Sequence, residues 1–394
     1  MTITRTNPIQ HRHYDAVIIG ARVAGAATAM LLARRGLRVL AVDRSGYGSD
    51  TLSSHALMRG AVTQLHRWGV LPAVIAAGTP ALKWTVFQYG STTMPIEIPD
   101  HRGVNALYAP RRTVLDRLLV DAARESGAEI HHGITLVEVL KDNDNRVRGV
   151  GLRTAYGEMN ITADVVIGAD GLRSSVARAV GAPITRQGHH ASAYVLQYLT
   201  GVDLPTDRYH WLYSQQRGAG VIPTNDGQMA VFAGLPQSRF NVEARHDVIG
   251  TFHRVLAEID PEVAAAVAGG TAAGPIRTFP GQVGQFRKPV GRGWMLVGDA
   301  GYFKDPYSAH GISDALRDAE LLADALVDGK PDRYERQRDK LSAELFDVLE
   351  RVASYEWDLN ELQQLHGQMS RAMNHELATL DELWPDQAAL AAVA

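Results

Sequence analysis

Two apolar runs in the first part of the chain flank a stretch with helical periodicity. The first run, Tyr14 to Ile19, leads into the turn Gly20-Ala21-Arg22-Val23-Ala24-Gly25, and the second, Leu37 to Asp43, ends in an acidic residue. The alanine-rich stretch between them is closed by Gly36. A strand, a glycine turn, an amphipathic helix and a second strand make a βαβ unit. The pattern therefore predicts an α/β domain built on a parallel sheet.

Two later apolar runs also deliver an acidic residue at the end of a predicted strand. One extends from Asp164 to Asp170, and the other from Trp294 to Asp299. A helix is predicted after the second, from about Gly311 to Ala325. Ligands bind at the carboxyl ends of strands in open α/β sheets. We therefore expect the three segments to converge on one ligand site.

The pattern changes between and after these segments. Alternating positions mark β-rich stretches near 81–100 and 185–285, while long helical periods dominate after Pro331. An α/β domain interrupted by a mostly antiparallel sheet domain explains this order. The division that we predict is 14–80, 101–184 and 286–330 in the α/β domain, 81–100 and 185–285 in a sheet domain that should hold the substrate, and 331–394 in a C-terminal helical segment.

Composition narrows the class of protein. Of the 394 residues, 45% are hydrophobic, which is enough for a large core. A net charge of −3 gives no reason to expect nucleic acid or an anionic membrane surface as a partner. The absence of cysteine excludes disulfides, thiolate nucleophiles and cysteine-ligated clusters.

Targeting signals are not evident in the sequence. The polar stretch Met1 to His13 is too short for a signal peptide, and no apolar run approaches the ~20 residues of a membrane span. We therefore expect a cytoplasmic protein. Its C-terminal helices would pack on the α/β domain or form the contact of a homodimer.

The first segment has the chemistry of a dinucleotide site. Gly20 permits the tight turn and Gly25 the close packing of helix on strand, so a pyrophosphate can lie at the helix N-terminus. Asp43, with Arg44 beside it, falls where a ribose-binding acid belongs. Arg22 replaces the middle glycine, and its side chain either points away or lies along the diphosphate as a bidentate donor. The alternative is a βαβ unit that binds no nucleotide.

The other two segments suit a flavin. Asp170 and Asp299 each follow a strand, and Asp299 can accept hydrogen bonds from a polyol such as ribitol. The helix N-terminus at Gly311 and Ile312 can present N–H groups to the N1 and C2 edge of an isoalloxazine, where negative charge collects on reduction. An ordinary turn at Asp170 and a surface loop before Gly311 are the alternatives.

The three motifs together resemble those of the single-component FAD-dependent aromatic hydroxylases, the p-hydroxybenzoate hydroxylase type. The resemblance covers about residues 14 to 330 and includes Pro306 in the loop before Gly311. It implies an α/β fold with a Rossmann-like FAD-binding domain of the glutathione-reductase type, interleaved with an antiparallel substrate sheet. It also implies FAD that is held noncovalently, since cysteinyl links are excluded.

The resemblance further implies a reaction. NAD(P)H would bind transiently and reduce FAD, O₂ would form a C4a-hydroperoxide, and this would hydroxylate an aromatic or polycyclic small molecule. In the resembled family an arginine at the start of the helix near 106–126 reaches the flavin's ribityl or phosphate portion. Arg111 or Arg112 matches it, and Arg112 is preferred.

Candidates for substrate contact and proton transfer come from aromatic and histidine positions. Alternation places Tyr209, Trp211 and Tyr213 on one face of a strand, where they could clasp a flat substrate. Tyr307 lies in the loop before Gly311, as does His310. We select His55 and His310 as candidate catalytic bases, although core packing remains the alternative for all of these rings. His189-His190 lacks two further spaced ligands, so no metal site is predicted.

Two other flavoenzyme activities remain open. A geranylgeranyl-type reductase would reduce carbon–carbon double bonds, but the aromatic β segment favours a flat ring over a long prenyl chain. A flavin-dependent halogenase would carry a Trp-x-Trp-x-Ile-Pro motif, which does not occur in this sequence.

Overall fold

The computed structural model describes residues 9–385. Residues 1–8 and 386–394, which belong to the predicted polar start and helical tail, lie outside the described residues. The strands are β1 His13–Ile19, β2 Val39–Asp43, β3 Trp84–Tyr89, β4 Thr92–Glu97, β5 Glu129–His132, β6 Thr135–Lys141, β7 Val147–Thr154, β8 Gly157–Gly168, β9 Ile184–Gln187, β10 Ser192–Thr200, β11 Arg208–Ser214, β12 Arg217–Pro223, β13 Gln228–Pro236, β14 Thr271–Ala272, β15 Arg277–Phe279, β16 Gln285–Arg287, β17 Val290–Gly291, β18 Trp294–Leu296 and β19 Tyr302–Phe303.

The α-helices follow the same numbering along the chain. They are α1 Val23–Arg34, α2 Arg59–Arg67, α3 Leu71–Ala76, α4 Arg112–Glu125, α5 Ser175–Val180, α6 Gln237–Glu243, α7 Val248–Ile259, α8 Pro261–Ala268, α9 Gly311–Val327, α10 Pro331–Ala353 and α11 Leu359–Leu383. No helix within residues 9–385 is long and apolar enough to cross a membrane.

The first sheet brings the three glycine-containing segments together. Its strand order is β17-β18-β8-β1-β2-β5, with β7 beside β8 and β6 beside β7. Strand β1 runs parallel to both β2 and β8, and β8 runs parallel to β18. The four strands that end in the predicted motifs are therefore neighbours with their carboxyl ends at one edge. The predicted α/β fold is confirmed.

The second sheet has the order β14-β10-β13-β12-β11-β3-β4, with β15 beside β10. All pairs are antiparallel except β11 with β3. Strands β3 and β4, from the stretch 81–100, thus join strands that follow more than a hundred residues later, as an interleaved order requires. A third sheet consists of β19, β16 and β9.

Helices α6 to α8 lie within the stretch that the pattern suggested was β-rich. Phe252, Val255 and Leu256 of α7 are buried in one cluster with Val195 and Val231 of the second sheet. Their spacing of three and four residues is that of an amphipathic helix. These helices cover one face of the sheet and leave its other face for the α/β domain and the C-terminal helices.

A buried glutamate joins α9 to α2. Glu320 accepts hydrogen bonds from both terminal nitrogens of Arg67, at 2.7 and 2.6 Å, and from Gln64 Nε2 at 2.9 Å. Trp68 Nε1 donates to the same carboxylate at 3.2 Å. A buried carboxylate with this many donors is fully satisfied, so it fixes the position of α9 relative to α2.

Candidate functional site

Backbone hydrogen bonds hold the turns of the three segments against one another. Gly20 N donates to Val42 O at 2.8 Å, and Ala169 N donates to Ile19 O at 2.7 Å. Val297 N donates to Gly168 O at 2.9 Å. The ends of β2, β1, β8 and β18 are thereby linked in sequence across the sheet edge, and they form one continuous groove floor.

The turn between β1 and α1 leaves no room for side chains. Gly20 has φ +101°, and a Cβ on Gly25 would lie 1.8 Å from Gly20 O. The helix can therefore approach the strand closely only with glycine at both positions. No acidic side chain lies in the first turn of α1, and no side chain caps it. Its N-terminal N–H groups are available to an anion.

Arg22 points away from the backbone of this turn. Its Nη1 donates to Ser49 O and to Asp116 Oδ2, both at 3.1 Å, and its Nη2 donates to Ser49 Oγ at 3.1 Å. Of the two orientations considered from the sequence, the structure has the first. The side chain therefore leaves the helix N-terminus open while its charge remains near it.

Arg112 and Arg22 both donate hydrogen bonds to the carboxylate of Asp116. Arg112 Nε donates to Asp116 Oδ1 at 2.7 Å and its Nη2 to Asp116 Oδ2 at 3.1 Å. Asp116 is 4% exposed. Two guanidinium groups share one carboxylate, so this group of three carries a formal charge of +1. Together with the helix dipole, it suits the diphosphate of a dinucleotide.

Asp43 and Asp170 each accept hydrogen bonds from backbone N–H groups. Asp43 accepts from Ala21 N at 2.8 Å and from Ser45 N at 2.7 Å, and it is buried, whereas Arg44 is exposed. Asp43 lines a small cleft beside the start of α1. A carboxylate retains further lone pairs, so Asp43 can still receive a ribose hydroxyl.

Asp170 caps α5. It accepts from Ser175 N at 2.6 Å, from Val176 N at 3.3 Å and from the Ser174 hydroxyl. Ser174 Oγ in turn accepts from Ala177 N at 2.9 Å. The Asp170 carboxylate therefore positions the turn at the groove floor. The contact of Asp170 with the cofactor stays a prediction.

Asp299 faces the groove. The residue is solvent-exposed, while the protein atoms packed around its carboxyl raise the pKa of that group, against the opposing effects of Lys304 and Arg112. Gly298, beside it, lies against Ala24 of α1. Gly311, the first residue of α9, is also exposed, while Ile312 is buried. A polyol and a flavin edge can reach these two groups.

His55 lies where the α/β domain meets the second sheet. It is fully buried, its φ is +62°, and its Nε2 is hydrogen-bonded to the hydroxyl of Tyr198 on β10. Its Nδ1 has no partner. Burial, followed by the charges of Arg112 and Arg111, lowers the pKa of His55 well below its usual range. The imidazole is therefore neutral at pH 7.

A cluster that the sequence did not indicate surrounds this histidine. Arg111 stacks on the Tyr198 ring, with its guanidinium carbon 3.6 Å from the ring centroid. Arg111 Nη2 and Arg277 Nη2 each donate to Asp50 Oδ2 at 2.9 Å. Arg111 was one of two candidates at its helix, whereas Asp50 and Arg277 carry no motif that could have revealed them.

His310 belongs to a different environment. It is 3% exposed, and its Nδ1 lies 3.2 Å from Asp314 Oδ1. Burial, followed by Lys304 and Arg317, lowers its pKa well below the usual range. His310 therefore lies behind the N-terminus of α9, within a buried set of charges, and not beside His55.

The predicted aromatic stripe is present but is covered. Tyr209 Oη donates to Tyr108 O at 2.6 Å. Trp211 Nε1 donates to Thr85 Oγ1 at 3.0 Å. Tyr213 stacks on Tyr307, with ring centroids 5.7 Å apart. All these rings are buried in the core that joins the two sheets.

We expect Arg112→Met to weaken FAD binding by about 10–100-fold, because a hydrogen bond to a charged group contributes roughly 1.5–3 kcal/mol. Arg117→Met is the matched control, since Arg117 is on the same helix and donates to Thr113 O of that helix instead of to Asp116. Titration of the apoprotein with FAD, followed by flavin fluorescence, measures both affinities. Equal affinities in the two variants would remove Arg112 from the site.

The glycine turn, the arginine pair and the groove-facing Asp299 define an FAD-dependent oxidoreductase. The chain belongs to the FAD binding domain family, whose model matches residues 13–342, and FAD is its cofactor. The open N-terminus of α1 and the exposed Asp299 fit that cofactor.

Individual proteins are similar to this chain over most of its length. Digeranylgeranylglycerophospholipid reductase 1 of Methanococcoides burtonii is 26% identical over 328 residues, which cover 79% of this chain and 73% of that one. Menaquinone reductase of Mycolicibacterium smegmatis is 26% identical over 328 residues, 80% of this chain and 76% of that one. A triple mutant of the flavin-dependent brominase Bmp2 superimposes with a TM-score of 0.80 at 21% identity, covering 97% of this chain and 98% of that one, which shows the fold.

Proposed function

We propose that the protein is an FAD-dependent reductase that adds two hydrogen atoms to a carbon–carbon double bond of a prenyl chain. The observation that carries this proposal is the covered aromatic stripe. The sequence argument for a flat aromatic substrate required Tyr209, Trp211 and Tyr213 to be open to a ligand, and each of them is packed in the core instead. The similarity to enzymes named as reductases over 79–80% of the chain supports the same activity.

Different residues of the groove would bind different parts of the cofactor. The N-terminus of α1 and Arg112 would hold the diphosphate, with the charge of Arg22 nearby, and Asp43 would hold the ribose. Asp299 would accept from the ribityl hydroxyls, and the N–H groups at the start of α9 would face the ring. When bound, FAD supplies a two-electron carrier, which NAD(P)H reduces and the substrate oxidises.

The buried pair of His55 and Tyr198 is suited to hold a proton at the domain junction. Saturation of a double bond requires a proton as well as two electrons, and the Tyr198 hydroxyl is hydrogen-bonded to the neutral imidazole of His55. Burial raises the pKa of Tyr198 to about 12, so the hydroxyl keeps its proton at pH 7. Because both side chains are buried in the same core as the stripe, we assign the pair a positioning role where the second sheet meets the FAD domain, and not direct contact with the substrate.

Product analysis distinguishes this activity from the monooxygenase that the motifs also resemble. The purified protein is incubated without O₂, with NAD(P)H and a geranylgeranyl lipid or menaquinone, and the product is analysed by mass spectrometry. We expect a gain of two hydrogen atoms per double bond. Tyr198→Phe should lower the rate and leave the FAD content unchanged.

An oxygenated product would contradict the reductase proposal. A gain of one oxygen atom by a phenol or aryl amine, seen only in air, together with unchanged prenyl lipids, would contradict the proposal and establish the hydroxylase. The absence of the Trp-x-Trp-x-Ile-Pro motif argues against halogenation, even though a brominase shares the fold.

A further inference from the structure

A set of buried ionisable side chains lies behind the N-terminus of α9, between α9, α11 and the loop after β19. All six members are at most 5% exposed. We refer to them as the α9–α11 charge network, which consists of Lys304, His310, Asp314, Arg317, Asp318 and Glu376.

Arg317 is the centre of the network. Its Nη1 lies 3.1 Å from Asp314 Oδ1 and 3.1 Å from Glu376 Oε2, and its Nη2 lies 2.7 Å from Asp318 Oδ1. The same Nη2 donates to Ser342 Oγ of α10 at 2.9 Å. Three helices therefore meet at one guanidinium.

Lys304 and His310 complete the network on the side of the groove. The Lys304 ammonium is paired with Asp314 and lies 5.2 Å from the centroid of the Tyr302 ring. His310 Nε2 lies 3.9 Å from Glu376 Oε1. Burial, followed by Arg317, lowers the pKa of Lys304 to about 7, while Asp299 in the groove opposes this effect.

The formal charges of the network do not cancel. In its protonated form Lys304 contributes one positive charge and Arg317 a second, whereas Asp314, Asp318 and Glu376 contribute three negative ones, and His310 is neutral. When every other group is ionised, the network is therefore one proton short of neutrality. Asp314 is paired with both Lys304 and Arg317, and Asp318 accepts from two nitrogens of Arg317, whereas Glu376 contacts Arg317 through one nitrogen at 3.1 Å. Glu376 is therefore the carboxyl best placed to take an additional proton, and burial raises its pKa in the same direction.

The network lies next to the place where the cofactor gains charge. His310 occupies the N-cap position of α9 without a side-chain capping hydrogen bond, and Gly311, which follows it, is exposed in the groove. A negative charge added at the start of α9 acts on the network through protein of low dielectric, where it favours protonation more than it would in water.

From this geometry we propose that the α9–α11 charge network is a redox-linked proton acceptor, which takes one proton from solvent at Glu376 when FAD is reduced. Two electrons enter the flavin with one proton, and the second proton enters the network and compensates the remaining negative charge. The proposal requires the flavin ring to lie against α9, as placed above, and does not depend on the substrate.

A metal ion is a weaker explanation of the same cluster. Ligand atoms of His310, Asp314 and Glu376 lie within 4.8 Å of one another. However, Lys304 and Arg317 already bind the two carboxylates. The cations of the chain itself occupy the positions that a metal would require, so we assign none.

Proton counting tests the proposal. The midpoint potential of the FAD-loaded protein is measured against pH without substrate, which gives the number of protons taken up per two electrons. Between about pH 6 and 8 we expect close to two protons per two electrons in the native protein, and close to one proton per two electrons in Glu376→Gln. Glu320→Gln is the control, because Glu320 is a buried α9 carboxylate outside the network, bound to Arg67 and Gln64.

Spectroscopy of the native protein provides a second test that needs no variant. The reduced-minus-oxidised infrared spectrum should show a new protonated carboxyl, and the ultraviolet spectrum should show the anionic form of reduced flavin. Two protons taken up with a neutral reduced flavin, or an unchanged count in Glu376→Gln, would overturn the proposal. Because no substrate is present, failure here leaves the reductase proposal intact.

Discussion

Replacing Arg317 with methionine should lower the free energy of unfolding by about 3–5 kcal/mol, the usual cost of removing one partner from a buried ionic group. The side chain is completely buried and binds Asp314, Asp318 and Glu376. Methionine replaces the aliphatic part of the side chain but leaves three carboxylates with Lys304 as the single remaining cation of the network. Urea unfolding of the apoprotein measures the loss.

Arg333→Met is the control for this prediction. Arg333 pairs with Asp328 at 2.7 Å, but the two side chains are 31% and 49% exposed. Exposed pairs contribute at most about 1 kcal/mol, so this variant should unfold near the native urea concentration. If Arg317→Met unfolded at the same concentration as Arg333→Met, the network would not stabilise the fold as described.

Gly25→Ala should weaken FAD binding by roughly 100-fold. The added Cβ would lie 1.8 Å from Gly20 O, so α1 must move away from the strand. Loss of two N–H bonds to the diphosphate, at about 1.5 kcal/mol each, corresponds to two factors of ten. FAD content after purification and the dissociation constant of the apoprotein both report the effect.

Helix propensity alone predicts that Gly25→Ala stabilises the helix, whereas the contact with Gly20 predicts that it disturbs the FAD site. The variant therefore distinguishes the two effects. Alanine is favoured over glycine in a helix by up to about 1 kcal/mol, so a Gly25→Ala helix that did not touch Gly20 would be more stable. Gly367→Ala on α11, where the new Cβ meets only Arg371 Nη1 at 3.6 Å, is the matched control. Equal FAD content in both variants would contradict the described turn.

The fold could be predicted from the sequence because its main signals are local. A strand, a glycine turn and a helix follow one another within a few residues, and each of the three segments carries its own acidic residue at the strand end. Parallel neighbours then place these ends at one edge of a sheet. The confirmed fold and the FAD cofactor rest on this pattern.

The charged clusters could not be predicted, because their members are far apart in the sequence. Arg317 and Glu376 are 59 residues apart, and Asp50 and Arg277 are 227 apart. Their contacts depend on how α9 packs against α11 and how the second sheet meets the α/β domain. Neither packing arrangement can be predicted from the local periodicity of hydrophobic residues.

The aromatic stripe shows where a correct pattern led to an incomplete inference. Alternation placed Tyr209, Trp211 and Tyr213 on one face, and all three belong to one core cluster, whereas Leu212 between them belongs to another. The pattern did not reveal what covers that face. His366 of α11 lies 4.7 Å from Tyr213, ring centroid to centroid, so the C-terminal segment provides part of the cover.

The strand order of the first sheet also determines when the cofactor site is completed during synthesis. Strand β18 lies beside β8, and Asp299 and the start of α9 follow it in the chain. A ribosome will have made β1, β2 and β8 long before these last elements emerge. The part of β8 that pairs with β18 therefore has no partner strand until residues 294–296 have been made.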